Sequence, residues 1–215
     1  WLVRSLDQLY AQAFLVRDTF IRLVATISRI HKGMLRVRTA PPEAPRFASW
    51  DGRDESLAGF ELGGLKSIAS LKVKLDCCYN GEVWRVLDAC RETLYFETVR
   101  DMTECLEGIT QDPGLEIVRV KSTMDPDHPP DADGGLWAGM RFVSVSVRMV
   151  GSEEAIRLCA ETHVCELMLV LTDIAKVQTQ AMKDAYKDWR RCKRLLLSCT
   201  SALKWAAPFA PSLFG

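Results

Sequence analysis

A helical route through a membrane is missing from this sequence. Its longest apolar stretches, such as 167–171, have the length of a strand, whereas a spanning helix needs roughly 18 apolar residues or more. Excess charge of one sign is missing as well: 28 Lys and Arg face 28 Asp and Glu, for a net charge of +0. No global pull on nucleic acid or on a lipid surface is implied, so any basic patch has to be local. Internal repeats and low-complexity tracts are absent, which excludes solenoids and arrays. None of the 8 cysteines forms a CxxC pair, and Cys77 and Cys78 are adjacent. Those spacings do not build a zinc site or an ordinary disulfide framework. They read as reduced, mostly buried thiols in a reducing compartment, the cytosol or an organelle interior. His163 and Cys165 share a face of an apparent strand, but two such groups do not make a metal site. The chain begins at Trp1 rather than Met, which leaves a removed targeting segment, and with it the compartment, open.

What is present is globular. Hydrophobic residues make up 48% and charged residues 26% of 215, enough for one domain with a real core and helical extensions. Apolar residues at helical spacing from Leu6 to Ile27 predict a long amphipathic helix over 2–32, stopped at Gly33. The next stretch, 34–62, is rich in Arg, Pro, Gly and Asp and reads as an extended arm. It is far longer than the roughly 4–6 residues of an ordinary connection. From 64 to 90 two helices are expected, parted by a turn at Asn80-Gly81.

Strands follow. The segment 92–97 (ETLYFE) is β-branched and aromatic. Thr98 is placed to cap a helix over 99–110, and Asp112-Pro113-Gly114 to form a turn. The segment 115–121 (LEIVRVK) alternates as a half-buried strand does. A loop over 124–135 leads to 140–149 (MRFVSVSVRM), the clearest alternating strand. Another strand, 162–171, is expected to lie antiparallel to it. Asp173 then caps a basic closing helix that runs towards Ala206 and ends before Pro208. The expected class is α+β: a mixed, mostly antiparallel sheet of about four or five strands flanked by helices. The expected parts are an N-terminal helix (1–33), an arm (34–62), a central domain (63–206) and a tail (207–215).

Several of these segments resemble, in order, the motifs of RelA/SpoT-type nucleotidyltransferase domains. The segment 65–75 (LKSIASLKVKL) resembles the basic helix start of that family. The segment 86–96 (VLDACRETLYF) is similar to its "DLIAIR" element, with Asp88 at the aspartate position. The segment 139–147 (GMRFVSVSV) resembles "GYRSLH", and 164–169 (VCELML) resembles "VEIQIRT", with Glu166 at the glutamate. The resemblance covers about residues 62–195 and is nearer to eukaryotic proteins carrying this domain than to bacterial alarmone synthetases.

Synthetases of the family transfer pyrophosphate from ATP to the 3′-hydroxyl of GDP or GTP. That chemistry needs carboxylates for Mg²⁺ and cations for phosphate. The resemblance implies Asp88 and Glu166 as the catalytic and metal pair, and Lys66, Lys72, Lys74 and Arg141 on nucleotide phosphates. The departures are equally specific. Met140 stands where tyrosine stacks on guanine, and methionine has no π-face. Ser144 replaces a histidine, Met168 a glutamine and Leu171 an arginine.

Each surviving residue also has a purely structural role open to it. Asp88 can accept from nearby backbone N–H groups. Glu166 can pair with Arg141 or Arg148 on a neighbouring strand. The lysines of 66–74 can form a solvated helix face, as can the basic surface of Lys183, Lys187, Arg190, Arg191, Lys193 and Arg194. Trp50, Trp137 and Trp205 fall in loops or near the end, where burial would suggest docking surfaces.

The leading expectation is a non-catalytic structural or interaction subunit of a larger assembly, with other protein subunits as partners and no cofactor. The alternative is a Mg²⁺-dependent nucleotidyltransferase or pyrophosphokinase with altered base preference. A weaker one is a nucleotide- or RNA-binding module.

Overall fold

A computed structural model describes residues 3–40, 43–124 and 141–178, together with 181, 182, 184, 185, 188, 189 and 192. The chain divides into two compact units. One comprises Trp1–His128 and Met140–Val177; the other comprises Pro129–Gly139 and Gln178–Gly215. The described residues of the second unit from Ala181 to Cys192 are helical, with Met182 and Trp189 exposed. The elements described below belong to the first unit.

Helix α1 spans Leu6–Ile30 and starts where the Ser5 side chain accepts from the Gln8 N–H. Asp7 in its first turn and Arg29 in its last suit the helix dipole. Its buried residues, among them Leu9, Ala13, Val16, Phe20, Val24 and Ile27, recur at three and four, so one face lies on the core. The main sheet holds four strands: β3 (Cys90–Phe96), β4 (Glu116–Ser122), β5 (Val143–Arg148) and β6 (Cys165–Leu171). Their order is β3-β6-β5-β4. Only β3 and β6 run parallel; the other pairs are antiparallel.

Register fixes the two faces, because paired residues point the same way. Cys90 lies opposite Cys165, Leu94 opposite Leu169 and Val145 opposite Leu167, and all six are core residues. On the other face a polar row crosses all four strands: Arg91, Glu166, Ser146, Arg119.

Helix α3 (Val99–Gln111) buries Met102, Cys105 and Ile109, and the Thr98 hydroxyl caps it by accepting from the Asp101 N–H. Helix α2 (Ile68–Cys78) is capped in the same way by Ser67. Two short helices, α4 (Glu153–Arg157) and α5 (Thr172–Val177), flank β6 in sequence.

The sheet, α1 and α3 follow the sequence expectations, most of the closing helix expected towards Ala206 lies outside the described residues, and several details differ. The arm at 34–62 is not plain extended chain: β1 (Leu35–Val37) pairs with β2 (Arg46–Ala48), and a 3₁₀ turn covers Asp54–Gly59. This ribbon joins the main sheet through a Met34–Tyr95 bridge, and the Phe47 and Tyr95 rings lie 4.4 Å apart. Trp50 is therefore core rather than docking surface, its indole N–H donating to the Arg53 carbonyl at 3.0 Å.

After Asn80 there is only a 3₁₀ turn at Val83–Arg85 in place of a second helix. The four residues that follow before β3 must already run extended to reach the sheet. Strand β4 is an edge and is mostly exposed despite its alternation. Strand β5, by contrast, buries both faces, Ser144 and Ser146 included. Asp173 sits in the first turn of α5 rather than ahead of it.

Candidate functional site

The segment before α2 runs beside the entry to β3. Leu65 bridges Cys90, and the Lys66 N–H donates to the Ala89 carbonyl at 2.9 Å. That pairing carries the Lys66 ammonium to Asp88, which it meets at 2.5 Å. Lys74, further along α2, reaches the same oxygen, Oδ2, at 2.8 Å. Side-chain exposures of 17%, 11% and 19% for Lys66, Asp88 and Lys74 show that all three have left bulk water. Two of the expected phosphate ligands and the expected catalytic aspartate thus meet in one cluster. Neither a solvated lysine face nor a backbone-capping aspartate describes it.

The electrostatics are lopsided. Burial pushes the Asp88 carboxyl up, but Lys74 and Lys66 together outweigh it and hold the group at about 2. Burial also lowers Lys66, against the attraction of Asp88. One carboxylate shared by two ammoniums leaves a net positive charge in a poorly hydrated place. That is costly unless an anion or the protein's own dipoles answer it. Asp88 Oδ1 is itself buried without a hydrogen-bond partner among the described residues.

Glu166 is held elsewhere. Its Oε1 accepts the Ser144 hydroxyl at 2.6 Å across the β5–β6 pair. The expected arginine partners are engaged otherwise. Arg148 pairs with Glu116 at 3.1 Å, and Arg141 Nη1 donates to the Thr123 carbonyl at 2.8 Å. A serine wins because it sits on the adjacent strand, on the same face, with a side chain short enough to stay buried. Lys72 is exposed on α2, outside the cluster. The basic surface of Lys183, Lys187, Arg190, Arg191, Lys193 and Arg194 lies outside the described residues, as do Met140, Trp137 and Trp205.

The donor set does not fit a resident magnesium ion. No group of three or more His, Cys, Asp or Glu side chains could hold a metal among the described residues. Of the two candidate carboxylates, one oxygen of Asp88 faces two ammoniums and one oxygen of Glu166 is hydrogen-bonded to Ser144. A hard dication wants concentrated negative charge, and the Asp88 cluster is net positive.

Two groups were not anticipated. Ser144 stands where the resembled motif has a histidine, yet it is the partner of Glu166. Glu92 is buried and accepts from the Gly63 and Thr93 N–H groups at 2.6 and 2.8 Å. Burial pushes its carboxyl up to about 7. Strand parity was the available signal, since Glu92 shares its side of β3 with Leu94 and Phe96.

No protein-family profile and no curated protein matches this sequence. Among solved structures the chain is similar to small alarmone synthetase 1 from Bacillus subtilis. The two are 12% identical, with 95% of this chain and 98% of that chain covered and a TM-score of 0.47. It is similar also to a GTP pyrophosphokinase family protein from Streptococcus pneumoniae, at 14% identity, 98% and 99% coverage and a TM-score of 0.44. A third is the complex between the Type VI effector Tas1 and its immunity protein, at 16% identity, 87% and 75% coverage and a TM-score of 0.48.

Proposed function

We propose that the chain is a RelA/SpoT-like domain that serves as a structural, interacting subunit rather than as an alarmone synthetase. The observation that carries this reading is that both candidate carboxylates are engaged by the chain itself. Asp88 is bound by Lys66 and Lys74, and Glu166 by Ser144. Arranged so, they support the fold rather than present charge to a nucleotide. The loss of an aromatic at position 140 points the same way. A shallow groove of about 440 Å³ on α1, lined by Leu6, Tyr10, Phe14, Leu15 and Ile68, supports partners that are proteins. Phe14 there is 67% exposed, and contiguous apolar surface of this kind marks contact sites. Free buried thiols at Cys90, Cys105 and Cys165 support a reducing compartment.

The test is a turnover assay with ATP, Mg²⁺ and either GDP or GTP. The expected result is no pyrophosphorylated product, together with stoichiometric recovery of the chain in a larger complex on gentle purification. A product that disappears in Asp88→Asn would overturn the reading.

One observation favours a second reading, a Mg²⁺-dependent nucleotidyltransferase with altered base preference. Asp88 Oδ1 is buried and unpartnered beside two lysines, and an incoming nucleotide that drew the lysines onto its phosphates would release the carboxylate. Thermal stabilisation by ATP with Mg²⁺, lost in Asp88→Asn, is the signature of that reading.

A further inference from the structure

Away from the Asp88 cluster, a cavity of about 450 Å³ lies among the start of α1, the 79–87 turn, the start of β4, the end of β5 and the 162–164 segment. Neither Asp88 nor Glu166, Lys66 or Lys74 lines it. Its size falls in the range of roughly 300–1,000 Å³ typical of small-molecule sites. Three of its lining residues each carry a buried polar atom with no hydrogen-bond partner: Gln12 Oε1, Arg148 Nε and His163 Nε2. Buried polar atoms are nearly always satisfied, and each one left alone costs about 1–3 kcal/mol. Three such atoms stand in the wall of one cavity with almost no accessible surface, so they bond a polar guest only by turning towards it. His163 is only 3% exposed, and burial pushes its imidazole down to about 4, so it meets that guest as a neutral ring.

The rest of the wall says what the guest is like. Trp84 is 50% exposed. The Arg85 guanidinium lies 5.9 Å from the Trp84 ring and 5.4 Å from that of Tyr79. A guanidinium held against two rings fixes them and leaves aromatic surface for a flat ligand. Arg85 and Arg148 are balanced by Glu82 and Glu116. Arg119, also in the wall, makes no ion pair among the described residues and brings an uncompensated positive charge.

We propose that this cavity is a binding site for a mononucleotide. Its base lies against Trp84, its ring edge meets Gln12, His163 and Arg148, and its phosphate is held by Arg119. A fatty acid would leave the three polar atoms unanswered, and a bare phosphate would leave the aromatic wall uncovered. The site is independent of the role assigned above to the Asp88 cluster and stands or falls separately.

Calorimetric titration of the full chain with AMP, GMP, CMP and UMP, each alone, tests it. At least one is expected to bind at one per chain. Arg119→Glu, an exposed change that leaves the thermal melt in place, is expected to weaken that binding at least about tenfold. Lys74→Met is expected to leave it within about twofold, since it touches only the other cluster. No binding of any of the four at millimolar concentration would overturn the proposal. So would unchanged affinity in Arg119→Glu, or a loss in Lys74→Met as large as that in Arg119→Glu. Binding confined to single-stranded oligoribonucleotides would overturn it too, in favour of an RNA surface.

Discussion

Glu92 accepts the backbone N–H of Gly63 at 2.6 Å, and a methyl group placed on Gly63 would stand 2.3 Å from the Arg91 carbonyl oxygen. The chain ahead of α2 is therefore pressed against β3 at the point that sets the position of Lys66. Gly63→Ala cannot be absorbed by swinging a side chain, because the obstacle is backbone. It is expected to cost about 2 kcal/mol or more. Gly64→Ala, one residue on, meets nothing within 4 Å and is expected to be neutral or slightly stabilising. Urea unfolding of the two variants side by side checks the contrast; equal midpoints would refute it.

The Glu92 carboxyl makes stability depend on pH in a definite direction. Burial raises it from 4.5 to about 7, so between those values the folded chain holds a proton that the unfolded chain has lost. Stability from this group is full below 4.5 and is lost as pH rises through about 7. The change between pH 5 and pH 8 is roughly 2–3 kcal/mol. His163 slopes the other way: lowered to about 4, it contributes stability that is present above 6.5 and lost as pH falls through 4. Glu92→Gln isolates the first effect. The difference in unfolding free energy between wild type and Glu92→Gln is expected to shift by that amount between the two pH values. A constant difference would rule it out.

Asp88 has the opposite sign to Glu92. Its carboxyl is held at about 2, so its contribution is present above 3.8 and is lost as pH falls towards 2. Removing the charge at neutral pH is harsher than titrating it, because two buried ammoniums lose their shared partner. Asp88→Asn is expected to cost about 3–5 kcal/mol. Lys74→Met, which leaves the Lys66 pair intact, is expected to cost clearly less. Denaturant midpoints for the two variants give the ranking. The reverse order would mean that Asp88 is not what holds the lysines.

The elements whose periodicity is long or alternating were legible from the sequence: α1, α3 with its Thr98 cap, and strands β3, β5 and β6. All but β5, which buries both faces, bury a regular set of side chains, so local pattern and tertiary packing agree. The β1–β2 ribbon was not legible. Its strands have 3 residues each, too short for a pattern, and their reason to exist is the long-range contact of Met34 and Phe47 with Tyr95. The site divides in the same way. Asp88 and Glu166 could be picked out as residues, but their partners could not. Lys66 and Lys74 reach Asp88 only because 65–66 docks on the entry to β3, and Ser144 meets Glu166 only through strand register.

Thiol chemistry offers a direct check on the packing of the two parallel strands. Cys90 and Cys165 are register partners on β3 and β6, and both are buried. The hydrogen bond with Cys90, together with burial, holds the Cys165 thiol well above its ordinary range. Burial alone pushes Cys105 on α3 up to about 12. The thiolate is the reactive form, so Cys105 and Cys165 lack both access and charge, and Cys90 lacks access. Cys78, Cys159 and Cys192 are exposed. Iodoacetamide at pH 8 is expected to modify Cys78, Cys159 and Cys192 within minutes in the native protein. Cys90, Cys105 and Cys165 are expected to react only once urea unfolds the chain. Peptide mass spectrometry reads each site separately. Rapid native labelling of Cys165 would mean that β3 and β6 do not close over one another as described, and the polar row through Arg91 and Glu166 would fall with that pairing.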